Sequence, residues 1–160
     1  MLNILKIYEL KRNITIPVPV EEVFSFFSNI ENLNFITPPW LGFEILTPTP
    51  IKMEKNTLID YSIKFFGLRM IWKMEITAWQ PPHCFTDRQI KGPYRVWEHA
   101  HIFEEKGGGT KMEDVIRYAV PGFVLSPLIH FLFVRPRLEK VFEFRETTIL
   151  DYFNKRPKPR

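Results

Sequence analysis

A chain of 160 residues with 45% hydrophobic and 15% aromatic content is sized for one domain and carries too much apolar surface to stay unfolded. Its formal net charge of +4 resides in Lys155, Arg156, Lys158 and Arg160; without them bases and acids balance, so the body lacks the basic face that nucleic acid requires. The single cysteine, Cys84, excludes an intramolecular disulfide or a thiolate zinc cluster and points to a reducing, cytoplasmic setting.

Lys6, Glu9 and Lys11 interrupt the N-terminal stretch, which lacks the apolar core of a signal peptide. Alternation over Ile4–Ile16 predicts a strand with Tyr8, Leu10, Ile14 and Ile16 on one face, ended by Pro17 and Pro19. Pro19 suits the first position of a helix, Glu21 and Glu22 suit its positive end, and Val20, Val23, Phe24 and Phe27 recur at helical spacing. Asn29 is placed to cap a second short helix through Phe35, which Pro38 and Pro39 stop before Trp40.

Six strands follow, over 41–46, 57–65, 68–79, 84–91, 95–105 and 110–120, with turn residues at Phe66-Gly67, Pro81-Pro82, Gly92-Pro93 and Gly107-Gly108-Gly109. The apolar run 119–134 is broken by Pro121, Gly122, Pro127 and His130 and falls short of a membrane span. The stretch 128–153 predicts a long helix, kinked or begun at Pro136, with Leu138, Val141, Phe142, Arg145, Ile149 and Phe153 at intervals of three and four. This order predicts an α+β, helix-grip fold: a curved antiparallel sheet around a C-terminal helix, with two short helices after the first strand. The domain is expected over 1–153, followed by a disordered basic tail over 154–160.

Asp87, Gln89, Gly92-Pro93-Tyr94, Trp97, His99, His101 and Phe103, then Gly108-Gly109-Thr110 and Asp114, resemble one branch of the START-like SRPBCC (polyketide cyclase-like) superfamily. The stretch Pro17–Phe24 resembles that superfamily's first strand-to-helix junction. The resemblance covers nearly the whole chain. It implies the helix-grip fold and leaves open lipid, quinone, hormone or polyketide binding, and catalysed cyclisation or hydration.

Strand parity sorts the candidate pocket. Pairing Phe65 with Leu68 sets Ile63 opposite Met70, Tyr61 opposite Trp72 and Ile59 opposite Met74 on one apolar face. A loop at Gly92-Pro93-Tyr94 sets Gln89 opposite Trp97, Asp87 opposite His99 and Phe85 opposite His101. A four-residue loop over 106–109 sets His101 opposite Asp114 and His99 opposite Ile116. Lys111, Glu113 and Arg117 cannot share a core unpaired, which turns Met112, Asp114, Ile116 and Tyr118 inward.

The candidate ligand-binding residues are therefore Trp40, as a lid, with Tyr61, Trp72, Asp87, Gln89, Trp97, His99, His101, Asp114 and Tyr118. The polar members form either a structural hydrogen-bond network or a group that orients a ligand in an apolar cavity. Asp87, His99, His101 and Asp114 are acceptable metal ligands, but His-x-His on a strand is a weak motif, so no metal and no cofactor are assigned. The leading expectation is binding or carriage of a small hydrophobic ligand such as a lipid, quinone or polyketide. The alternatives are a cofactor-free cyclase, hydratase or lyase using the Asp/His group, and a module touching a membrane or ribosome through 123–133 and the tail.

Overall fold

A computed structural model describes residues 5–155, apart from the side chain of Phe123. Seven strands make one antiparallel sheet: β1 (Tyr8–Ile16), β2 (Glu44–Ile45), β3 (Leu58–Phe65), β4 (Leu68–Gln80), β5 (Cys84–Lys91), β6 (Val96–Lys106) and β7 (Gly109–Ala119). Their order is β1-β7-β6-β5-β4-β3-β2, so consecutive hairpins form a meander and the first strand lies beside the last. Helices α1 (Val20–Ser28) and α2 (Glu31–Phe35) follow β1, and a helical rod follows β7 as α3 (Ser126–Ile129), a π turn (His130–Val134) and α4 (Arg135–Asn154).

The apolar periodicities explain the packing. On β1 the even positions are at least half-buried while Glu9, Lys11, Asn13 and Thr15 face out. Helix α1 buries Val20, Val23, Phe24, Phe26 and Phe27 against Phe85, Phe103 and Met112 of the sheet and Ile149 and Phe153 of α4. Further along α4, Leu138 and Phe142 pack on Met74, Trp97, Ile116 and Tyr118. Each such fully buried side chain contributes on the order of 2 kcal/mol, which is why the sheet curls around this helix.

Two hairpins turn on paired positive-φ residues that match the twist of the flanking strands. Phe66 and Gly67 (φ 49 and 83) join β3 to β4, and Gly107 and Gly108 (φ 59 and 80) join β6 to β7. The second loop is tighter than the four residues expected, because Lys106 pairs with Gly109. Trimming one residue from each side leaves parity unchanged, and His101 still faces Asp114 while His99 faces Ile116.

Other boundaries moved for identifiable reasons. β1 starts at Tyr8, opposite Tyr118 near the end of β7, and Leu5 to Ile7 lie outside the ladder; Ile4 lies outside the described residues. Pro19 is the N-cap rather than the first helical residue, its carbonyl accepting the N–H groups of Glu22 and Val23 at 3.1 and 3.2 Å. In place of a strand over 41–46, Pro39–Leu41 form a 3-10 turn, Gly42 takes a left-handed conformation (φ 51), and two residues remain to pair with β3. The helical rod starts at Ser126, two residues before the expected 128, and α4 begins at Arg135 with Pro136 in its first turn, where the break was expected. Pro136 has no N–H to give to Leu132, and the widened π turn ends where that bond would be missing. The basic tail lies beyond the described residues from 156 on, and among the described residues no helix is long and apolar enough to cross a membrane.

Candidate functional site

The concave side of the sheet, α1–α2 and α4 enclose a cavity of about 170 Å³. Its apolar wall is contributed by Phe27 and Leu33 from the short helices, Tyr61, Ile63, Trp72 and Met74 from β3–β4, Phe85 and Trp97 from β5–β6, and Leu138 and Phe142 from α4. Into the same wall project Asp87, His99, His101 and Arg145.

Antiparallel pairing places Asp87 opposite His99 and His101 opposite Asp114, yet the shortest bonds run diagonally. His99 Nε2–H donates to Asp114 Oδ1 at 2.7 Å, and His101 Nε2–H donates to Asp87 Oδ2 at 3.1 Å. His101 Nδ1 lies 3.0 Å from Asp114 Oδ1 without the alignment of a hydrogen bond. Strand twist brings residues two positions apart on neighbouring strands within side-chain reach, so each carboxylate can serve an imidazole not directly across from it. The two imidazole rings lie 3.8 Å apart, and His101 also stacks on Phe85 at 4.2 Å.

These neighbours push the two histidines in opposite directions. Burial, reinforced by His101, lowers the pKa of His99 against the opposing pull of Asp114. Burial also acts to lower His101, but its close contacts with Asp114 and Asp87 and their charges outweigh it and raise its pKa. Burial alone would raise Asp114; the charges of Arg145 and His99 and its close contacts with both imidazoles instead hold it well below the ordinary carboxylate range. The ligand atoms of Asp87, His99 and His101 lie within 4.8 Å of one another and are of types a divalent metal accepts. Their imidazole–carboxylate hydrogen bonds already engage three of the atoms a metal would use.

The other expected residues are distributed differently. Asp114 stands behind the imidazoles rather than in the cavity wall. Gln89 has no place in the cavity: its side chain spans the β5–β6 connection, donating to Tyr94 O at 2.7 Å and accepting from Tyr94 N–H at 3.3 Å. The ladder between these strands is in register only to Arg88↔Glu98, so the expected Gln89–Trp97 pair does not form within it. Gly92 allows this closure, since a Cβ there would stand 2.5 Å from Gln89 Oε1 and 2.6 Å from Trp72 Cδ1. Tyr118 points to the start of the helical rod, where its hydroxyl meets His130 Nε2 at 2.9 Å and burial pushes its pKa up to about 12.

Trp40, expected as a lid, is 44% exposed and does not line the cavity; it borders a separate surface hollow with Phe66, Phe133 and Arg137. Its ring lies over the Arg137 guanidinium at 4.6 Å, and Arg137 also approaches Phe66 at 5.3 Å. Arg137 and Arg145 both line the cavity and are absent from the sequence-based set. The available signal was Arg145 itself, a charge standing in the apolar stripe of α4.

The sequence profile of the family described as "Polyketide cyclase / dehydrase and lipid transport" matches residues 16–142. Among solved structures, protein Ms6760 of Mycobacterium smegmatis is similar at 16% identity and TM-score 0.66, over 91% of this chain and 90% of that one. TTHA0849 of Thermus thermophilus is similar at 18% identity and TM-score 0.64, over 91% and 99%. The di-domain ARO/CYC StfQ of the steffimycin biosynthetic pathway gives 9% identity and TM-score 0.69, over 93% of this chain and 52% of that one. At these identities the likeness speaks for the fold. No curated protein matches the chain.

Proposed function

The chain belongs to the polyketide cyclase / dehydrase and lipid transport family, and from that membership we propose that it binds one small, largely apolar ligand inside the sheet. The observation that carries the reading is the cavity itself, walled by aromatic rings with a few convergent polar groups, the usual composition of a small-molecule site. Its size of about 170 Å³ is close to the roughly 150 Å³ that admits a benzene ring and below the ~300 Å³ at which drug-sized sites begin. A one- or two-ring compound or a short acyl chain fits as the cavity stands; a long lipid exceeds it. Native mass spectrometry of the purified protein, followed by titration with small aromatic and short acyl compounds, is expected to find one equivalent bound. Failure of every member of such a panel would remove the reading.

A second reading, acid–base catalysis, is supported by the opposed pKa shifts of His99 and His101. Two adjacent groups driven apart supply a neutral base beside a charged acid, the arrangement used for proton transfer near neutral pH. The reaction class would be cyclisation, hydration or elimination. His99→Gln is expected to abolish turnover while leaving ligand affinity within about threefold (~0.6 kcal/mol); equal loss of both would assign His99 to binding alone.

Contact with a lipid surface is supported by the rod's first part, where Val124, Leu125, Leu128, Phe131 and Leu132 are all more than half exposed. No Asp, Glu, Lys or Arg falls between residues 121 and 134; Arg135, Arg137 and Lys140 follow, with Glu139 paired to Arg135 at 3.0 Å. An apolar face edged with cations suits the headgroup region of an anionic bilayer.

A further inference from the structure

We infer that the ligand of this cavity carries a carboxylate and that Arg145 receives it; the inference rests on the cavity reading above. Arg145 is 8% exposed and lines the cavity from α4. Among the described residues its guanidinium makes no hydrogen bond and no ion pair, and its Nε is buried without a partner. What surrounds it is aromatic: it lies over the rings of Phe27 at 5.4 Å and Phe142 at 5.9 Å. Asp114 acts on it electrostatically, but the carboxylate's short contacts go to His99 and His101. Asp87 likewise bonds His101.

A buried Nε–H left without an acceptor is costly, since hydrogen bonds to a buried cation are what offset its desolvation. With two rings as its nearest partners, the fork of N–H groups finds no oxygen to bond among the described residues. That fork matches the two oxygens of a carboxylate, with which it makes paired, charge-assisted bonds. The apolar wall then receives the rest of the molecule.

Arg137 lines the same cavity eight residues earlier on α4, about 12 Å away along the axis. It too makes no ion pair among the described residues and is held by Trp40 and Phe66. Of the other cavity cations, His101 is flanked by both carboxylates, and Arg137, whose Nε is likewise buried without a partner, is the one alternative receiver that the Arg145 variants below distinguish.

The probes are trans-cinnamate and cinnamyl alcohol, which share a flat apolar body and differ in the charged end group. Isothermal titration at neutral pH is expected to show wild-type protein binding the acid at least tenfold more tightly than the alcohol, a factor equal to about 1.4 kcal/mol. Arg145→Gln is expected to bind the alcohol as before and lose the preference; Arg145→Lys is expected to retain part of it, because a point charge lacks the fork. Equal binding of acid and alcohol by wild type, or an undiminished preference in Arg145→Gln, overturns the inference while leaving the cavity reading intact. Binding of neither probe counts against both. Should Arg145→Gln fail to fold, the wild-type ratio and the Arg145→Lys ratio still decide.

Discussion

Replacing Asp114 with Asn tests whether the polar cluster is held together by charge. Asp114 is 6% exposed, serves both imidazoles and balances Arg145 through space. Removing one partner from a buried ionic group costs about 3–5 kcal/mol. The Asn oxygen still accepts one imidazole hydrogen bond, worth about 1 kcal/mol, so the expected loss lies near the lower end, at about 3 kcal/mol by urea unfolding at pH 7. The pH dependence carries the sign. Because Asp114 is held below its ordinary value of 3.8 in the folded protein, its contribution is full above that value and is lost as pH falls through the folded pKa. The gap between wild type and variant should therefore narrow as pH drops below about 4. At the same time the pKa of His101, followed by NMR, should fall, because one of the two carboxylates that raise it is gone. A loss under 1 kcal/mol at pH 7, or a gap that widens in acid, would refute this account.

The histidines should leave a signature of their own. The raised pKa of His101 gives stability that is full below the ordinary imidazole value of about 6.5 and is lost as pH rises through its folded value; the lowered pKa of His99 gives stability present above about 6.5 and lost as pH falls. Melting temperature measured from pH 5 to 9 should flatten on the alkaline side in His101→Gln and on the acid side in His99→Gln, and curves parallel to wild type would contradict both assignments. Co-sedimentation with vesicles of anionic phospholipid should fall at least fivefold (~1 kcal/mol) in a Leu128→Glu, Phe131→Glu double variant, which removes two exposed apolar groups and adds repulsion. Unchanged sedimentation, or equal binding to uncharged vesicles, would end the proposed anionic-lipid contact.

Much of the layout was legible because a meander obeys parity. Lys111, Glu113 and Arg117 require the outer face, and that single requirement turns Asp114, Ile116 and the facing His99 and His101 inward. Parity assigns faces but not bond partners. It pairs Asp87 with His99 and Asp114 with His101, whereas the twist of the sheet sends the shortest bond of each carboxylate diagonally to the other imidazole. Gln89 has the right parity and a different task, since only the path of the Gly92–Arg95 connection decides that its amide closes the loop. Trp40 was expected as a lid from the two prolines before it, but it lies outside the cavity lining, and its partner, Arg137, is almost a hundred residues away in sequence. Arg145 was visible as a charge in an apolar stripe; that its guanidinium lacks a partner follows from where Asp114 and Asp87 spend their oxygens, a tertiary outcome that spacing does not encode.

The π turn at His130–Val134 lets one rod serve two environments whose angular demands differ. At 3.6 residues per turn each residue advances a helix by about 100°; a five-residue turn closed by i→i+5 bonds advances less per residue and so absorbs roughly one extra position. His130 and Val134 can thereby share the buried side, with His130 meeting Tyr118, while α4 keeps Leu138, Phe142, Arg145 and Ile149 in their own phase. The turn works as a rotational offset between the rod's two halves. A single-residue deletion inside it would turn the Leu125–Ile129 end by about one residue's angle and break the Tyr118–His130 contact, yet leave the guanidinium of Arg145 where it is. Sequence change in the surface-facing half can thus retune what that half touches without altering what the cavity holds.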